Sequence, residues 1–431
     1  MHDEPQTLET AAPPARTSKQ TATVGDSSVP DRQALWITRI VLVGLVLAAL
    51  NLRPAITSLG ALLEEVRDGL HMSGSVAGVL TSVPPLCFAV FGIMAPRLAR
   101  RFGPAAVVCA GMAAILAGLA VRPFASGTVG FLAASALALM GIAVSNVLMP
   151  VIVKRYYPDR VGSVTGLYSM ALALGTSLAA AATVPMTEAL GGSWRTGLGV
   201  WALLAALAVL PWVPLLRDRG TGSATGAPEA RAAAPSATPL RITRSRTAWA
   251  LGAYFGLQAT GAYITMGWMP QIFRDAGVPA GTAGVLLAVT MVMGVPLAFV
   301  IPRLATRLKN QGPIVVALGL CGLVGYTGLF LAPAGGAWVW AVLLGVSNCS
   351  FPLALTMIGM RSRSGAGVVR LSAFAQSVGY LISIPGPLLV GVLYQHSGGW
   401  GLPIALMAGL MIPQMIVGTL AGRDRTVEDE C

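Results

Sequence analysis

The sequence predicts an all-α membrane protein of twelve transmembrane helices, arranged as two related six-helix bundles. Of its 431 residues, 55% are hydrophobic and 11% charged, with a mean hydropathy of +0.72; a soluble domain has about a quarter of its residues charged. The apolar residues fall into runs of about twenty, the length an α-helix needs to cross a bilayer. The pattern also repeats. At an offset of about 206 positions, Ser75–Arg101 aligns without a gap on Gly281–Arg307, pairing Ala77-Gly78-Val79-Leu80 with Ala283-Gly284-Val285-Leu286 and Pro96-Arg97-Leu98-Ala99 with Pro302-Arg303-Leu304-Ala305.

The elements follow in order. Residues 1–34, rich in Ala, Pro, Ser, Thr and Gln with no apolar core, read as a disordered cytoplasmic tail and not a cleavable signal. Apolar spans then run over 35–62, 74–96, 104–122, 128–153, 161–188 and 195–216, the first bundle. Residues 217–246 carry Gly-Thr-Gly-Ser and Ala-Pro-Ser stretches with arginines, a flexible basic linker. The second bundle, 247–421, has spans at 247–272, 281–302, 313–332, 337–359, 367–394 and 400–421, and 422–431 is a cytoplasmic tail. A weaker echo of the repeat relates Ser145-Asn146 with Pro150 to Ser347-Asn348 with Pro352. Small residues at Gly162–Gly166 and Ala171–Ala182 suit close helix packing, and Pro385 with Pro387 is placed to break the eleventh span.

Charge placement sets the orientation. The net charge of +12 is carried in short loops and does not form a nucleic-acid patch. Alternate loops hold Arg97, Arg100 and Arg101; Lys154, Arg155 and Arg160; the linker arginines; Arg303, Arg307 and Lys309; and Arg361, Arg363 and Arg370. The opposite loops hold only Arg67, Arg122, Arg195 and Arg274. The positive-inside rule puts both termini and the linker in the cytoplasm, as expected of a multi-pass protein of the inner (plasma) membrane. Four of the five cysteines, Cys87, Cys109, Cys321 and Cys349, lie in apolar spans; together with Cys431 they lack metal-ligand spacing, so no metal is expected.

Within the first span stands Asn51-Leu52-Arg53-Pro54-Ala55-Ile56-Thr57. An arginine in mid-bilayer costs about 2.5–3.5 kcal/mol on insertion scales and marks a cavity or a partner. Pro54 removes a backbone donor beside it and favours a kink, after which Asn51, Arg53 and Thr57 can share one side. Snorkelling of Arg53 to an interface is the plainer alternative.

On these residues the chain resembles the CynX/NimT branch of the major facilitator superfamily, which contains cyanate and 2-nitroimidazole transporters. The matching stretches are Asn51–Ser58, Ser145–Pro150, Gly256-Leu257-Gln258 with Gly267-Trp268-Met269-Pro270, and Ala375–Tyr380, and the likeness spans residues 35–420. The resemblance implies a major facilitator fold and alternating-access movement of small organic solutes or anions, without a nucleotide cofactor. One departure is Pro96-Arg97-Leu98-Ala99-Arg100-Arg101-Phe102-Gly103, where Arg100 stands in place of the superfamily's usual acidic residue. No gating role is assigned to it, while Gly103 keeps the tight turn.

Ten residues are candidates for binding substrate: Asn51, Arg53, Thr57, Asn146, Gln258, Tyr263, Trp268, Asn348, Gln376 and Tyr380. Amides and hydroxyls give oriented hydrogen bonds, aromatic faces a flat wall, and arginine a permanent forked charge, a set suited to a small planar, polar or anionic solute. Interhelical glue is the competing role for the amides, and an interfacial belt for Trp268. The acids Glu64, Glu65, Asp68, Asp159 and Glu188 lie at span ends. Coupling therefore has three routes open: an acid deeper than its sequence position indicates, coupling carried by the substrate, or facilitated passage. Import and efflux are both open. The sequence thus points to a secondary-active or facilitative transporter, expected as a monomer, of a cyanate-, nitroimidazole- or drug-like solute. A membrane enzyme would need catalytic acids, histidines or a metal within the spans; a transporter-like ligand sensor without turnover is the remaining alternative.

Overall fold

A computed structural model describes residues 32–216 and 242–430. The expected disordered tail through residue 31, the expected flexible linker over 217–241 and Cys431 lie outside the described residues. The described residues form twelve helical rods and no strand. The first bundle holds α1 (Arg32–Asn51, resuming as Pro54–Ala61), α2 (Gly74–Phe102), α3 (Pro104–Val121), α4 (Thr128–Tyr156), α5 (Val161–Ala189) and α6 (Trp194–Gly199, Trp201–Val209 and Trp212–Leu215). The second holds α7 (Arg246–Asp275), α8 (Ala280–Val292 and Gly294–Arg307), α9 (Gly312–Leu331), α10 (Ala337–Asn348 and Ser350–Met360), α11 (Gly365–Ser383 and Pro385–Ser397) and α12 (Gly401–Ala421). Each expected span meets its rod within a few residues at most boundaries. The C-terminal ends of α2 and α8 run further, to Phe102 and Arg307.

Ten of the rods are long and apolar enough to cross a membrane. The other two fall short for different reasons. Pro211 follows the break after Val209 and interrupts α6. The 30 residues of α7 carry Gln258, Thr260, Thr265 and Gln271, all buried, so polar groups dilute its apolarity while facing protein and not lipid.

The anticipated kinks occur where proline removes a donor. Asn51 ends the first segment of α1 and Pro54 begins the second, with Arg53 at φ −121°, ψ −25° between them. Across the break Ile56 and Thr57 both donate their N–H to the Arg53 carbonyl, at 2.9 and 3.1 Å. Ile384 separates the two segments of α11 ahead of Pro385. Gly103 makes the α2–α3 turn at φ +85°, a conformation L side chains rarely adopt, and the neighbouring Arg100 is exposed.

The repeat in the sequence becomes a pair of contacts between the bundles. A Cβ on Gly78 of α2 would come 2.9 Å from the Leu388 carbonyl oxygen of α11; on Gly284 of α8 it would come 2.5 Å from the Ala180 carbonyl oxygen of α5. Equivalent glycines in the two halves thus let α2 lie on α11 and α8 on α5, the backbone-to-backbone approach that small residues allow in membranes.

The segment after α12 is not a loose tail but folds back. Glu430 accepts from Ser245 Oγ at 2.6 Å and from the Thr247 N–H and Oγ1, both at 2.9 Å, capping α7. Glu428 accepts from Ser362 Oγ at 2.6 Å and from the Arg363 N–H at 3.1 Å. Burial opposes ionisation of both carboxyls, but these donors outweigh it and hold both below the usual glutamate range. A depressed carboxyl contributes stability above its unfolded value and loses it as pH falls through the folded one, so the clasp holds at neutral pH and loosens below about pH 4. Glu430→Ala should lower the unfolding temperature of the purified protein at pH 7, losing about 1–3 kcal/mol, and the difference from wild type should shrink by pH 3.5. An identical melting curve at pH 7 would show that the clasp adds no stability.

Candidate functional site

The break in α1 leaves Arg53 partly exposed while Asn51, Leu52, Pro54 and Ala55 around it are buried. Its side chain therefore opens on the seam between the bundles. Its charge acts on the hydroxyls of Tyr263 (α7), Tyr168 (α5) and Tyr380 (α11). Phe88 of α2 stacks on Tyr380 with centroids 5.1 Å apart and lies 6.4 Å from Tyr263. Phe255 meets the edge of Tyr380 at 5.2 Å. The group is a cation ringed by hydroxyls and aromatic faces, drawn from both bundles. Such an arrangement can pair with a negative or electron-rich atom and hold a flat molecule against a ring.

The structure distributes the other candidates around and beyond this group. Asn146 is partly exposed and its Oδ1 accepts from the Tyr168 hydroxyl at 2.9 Å, which ties it to the Arg53 centre. Thr57 bonds back to the Arg53 carbonyl at 3.3 Å and so steadies the break. Asn51 is fully buried, and its side-chain amide finds no partner among the described residues. Gln376 donates to Ser372 on its own helix at 2.8 Å and is partly exposed. Gln258 donates to Asn348 Oδ1 at 3.0 Å, and both border a small cavity inside the second bundle with Tyr326, Ser347 and Gln414. Those two amides bind α7 to α10 and do not join the Arg53 group.

Trp268 is neither a belt residue nor a wall of the central group. It is fully buried and donates to Thr81 Oγ1 of α2 at 3.2 Å, with the Tyr394 and Trp400 rings 6.3 and 5.8 Å away. It belongs to a seal between the bundles at one end of the molecule. There Arg274 bridges Glu64 at 2.8 Å and Glu65 at 2.9 Å, and Gln395 accepts from the Ser75 N–H and Oγ at 2.8 and 2.7 Å. Tyr394 and Trp400 both donate to Asp275. At the opposite end the described hydrogen bonds stay within one bundle, as in Tyr157 to Thr38 and Arg361 to the Ala421 and Gly422 carbonyls. Of the acids whose depth the sequence left open, Glu64 and Glu65 lie in the seal and Glu188 is exposed.

Sequence reasoning passed over Tyr168 and Phe88. Tyr168 is the lone aromatic in a span rich in small residues, which was its only signal; Phe88 follows Pro84-Pro85 and looks like any apolar residue of α2.

The family model of the Major Facilitator Superfamily matches residues 41–369. The chain is 35% identical over 404 residues to the uncharacterized transporter YycB of Bacillus subtilis, covering 92% of this chain and 95% of that one. It is 33% identical to the 2-nitroimidazole transporter of Escherichia coli over 90% of this chain and 97% of that one, and 30% identical to the cyanate transport protein CynX of the same organism over 85% and 94%. Among solved structures, a bacterial homolog to the human lysosomal transporter Spinster superposes with a TM-score of 0.69 at 15% identity, covering 91% of this chain and 96% of that one, a likeness of fold.

The seal makes a direct expectation. A Cβ on Gly267 would lie 3.2 Å from Thr81 Cβ, close to disulfide spacing. The double variant Thr81→Cys/Gly267→Cys should cross-link on mild oxidation, read as thiols lost to alkylation. Retention of the two introduced thiols, counted in a background whose five native cysteines are replaced, would mean the bundles do not meet there.

Proposed function

The chain belongs to the major facilitator superfamily, in the branch of the cyanate and 2-nitroimidazole transporters, and we propose that Arg53 with Tyr168, Tyr263 and Tyr380 forms its substrate site. The protein is a multi-pass membrane transporter that moves a small solute by alternating access. Its substrate, in our reading, is a small planar anion or polar heterocycle of the cyanate or nitroimidazole kind. One observation carries this: a partly exposed guanidinium at a helix break, set among hydroxyls that come from both bundles. A solute held there touches both halves, so its binding is sensitive to how they are rotated, as transport between two faces requires.

The arginine-rich loops lie away from the Glu64–Arg274 seal, so the sealed end is the outer one and the central group faces the cytoplasm. Both termini are then cytoplasmic. The chain works as a monomer, since each half supplies part of the site. Asn146 orients Tyr168, Thr57 steadies the break, Gln376 borders the path, and Asn51 is buried behind it. Trp268 acts in closure. Gln258 and Asn348 hold α7 to α10.

Counterflow in proteoliposomes tests the reading. With cyanate, nitroimidazoles and small carboxylates as the panel, at least one should exchange saturably. Arg53→Lys keeps the charge but loses the planar fork, so KM for that solute should rise about tenfold or more; Tyr168→Phe should raise it less. Oxidising the Thr81→Cys/Gly267→Cys protein should arrest exchange and reductant should restore it. An unchanged KM in Arg53→Lys would remove Arg53 from the site.

A further inference from the structure

Two lines of exposed side chains on the outside of the bundles end in arginines that no carboxylate pairs. On α2, Val79, Leu86, Val90 and Ile93 are exposed, and so are Arg97 and Arg101. At the turn of an α-helix all of them fall within about 40° of Arg97, so they form one line along the rod. The repeat copies it. Leu86, Val90, Ile93, Arg97 and Arg101 correspond to Val292, Pro296, Phe299, Arg303 and Arg307 of α8, and all five of these are exposed too. From Val79 to Arg97 a helix rises about 27 Å, close to the thickness of the hydrocarbon core. The line therefore passes from acyl-chain depth to headgroup depth where the arginines begin.

Arg97 and Arg101 stand one turn apart, as do Arg303 and Arg307, and like charges at that spacing repel. Among the described residues the ion pairs engage Arg274 and Arg363, and none reaches these four. Lys154 and Arg155, which end the neighbouring α4, add only positive charge. Arg100, where the superfamily's usual residue is acidic, is exposed beside the first pair and adds a third cation; its counterpart Thr306 is neutral. A phosphodiester between two guanidinium groups accepts from both and removes their repulsion. A zwitterionic headgroup brings its own cation and leaves the excess charge uncompensated. A soluble phosphate would meet the arginines but not the apolar line above them.

We propose that α2 and α8 each hold one anionic phospholipid, its phosphate between Arg97 and Arg101 or between Arg303 and Arg307 and an acyl chain along the apolar line. Both sites lie on the outside of the bundles, apart from the Arg53 centre, and do not depend on which solute is carried.

Native mass spectrometry of the detergent-purified protein, titrated with phosphatidylglycerol or phosphatidylcholine, tests this. Retained phosphatidylglycerol should level off at two per chain, with phosphatidylcholine held about tenfold more weakly or less. Arg97→Gln/Arg101→Gln should retain one, and the same protein with Arg303→Gln/Arg307→Gln added should retain none. Arg53→Ala should retain both, which separates these lipids from a solute at the central site. Glycerol 1-phosphate, the soluble counterpart of the headgroup, should displace neither. If the glutamine variants do not insert, Arg97→Lys/Arg101→Lys keeps the loop charge and decides the matter: one of its two lipids should be held about tenfold more weakly. Equal retention of the two phospholipids overturns the proposal, as does a plateau other than two. Displacement by glycerol 1-phosphate, or lipid binding that the arginine substitutions leave unchanged, overturns it as well.

Discussion

A guanidinium inside a membrane-crossing span constrains this structure more than any other group. Placing Arg53 in lipid would cost about 2.5–3.5 kcal/mol even on the mildest scale. The chain avoids that by interrupting α1 between Asn51 and Pro54 and turning the side chain into the seam, where the tyrosines of α5, α7 and α11 meet it. The break has its own requirements. Pro54 cannot donate, and the carbonyl of Arg53 takes two backbone donors and the Thr57 hydroxyl. A neutral residue at position 53 would need neither the break nor the ring of hydroxyls.

The two bundles meet through backbone more than through side chains. Gly78 on α11 and Gly284 on α5 occupy equivalent places in the repeat, so the sequence similarity between halves is also a similarity of interface. Close backbone contact is firm when aligned and is lost quickly on rotation. The seal adds directional contacts at one end only: Arg274 with Glu64 and Glu65, Gln395 with Ser75, and Trp268 with Thr81. A hinge closed at one end by specific bonds and joined elsewhere by smooth helix faces suits rocking about a central site.

The rods were legible because the physics that sets them is local: a bilayer demands about twenty apolar residues, and prolines mark the breaks. Arg53 was legible for the same reason, since a charge in an apolar run has few explanations. Partner choice was not. Gln258 and Asn348 read as ligand groups because of their polarity in a span; the fold bonds them to each other beside a cavity inside the second bundle. Trp268 sits near a span end, where indoles favour the interface, but packing of α7 on α2 buries it. Arg122 looked like one of a few loop arginines; only the fold shows it turned inward beneath α1. Which face of a helix meets which neighbour depends on contacts far apart in sequence, and single-sequence periodicity does not encode them.

The central claim is that Arg53 meets the solute. The most direct measurement is the solute-induced rise in unfolding temperature of purified Arg53→Ala, compared with wild type over the same concentrations. Removing the charge eases insertion, so the variant should reach the membrane and fold. The account predicts that its thermal response to the solute is lost, with the half-saturating concentration raised by about a hundredfold or more. An Arg53→Ala protein stabilised at the same solute concentrations as wild type would contradict it.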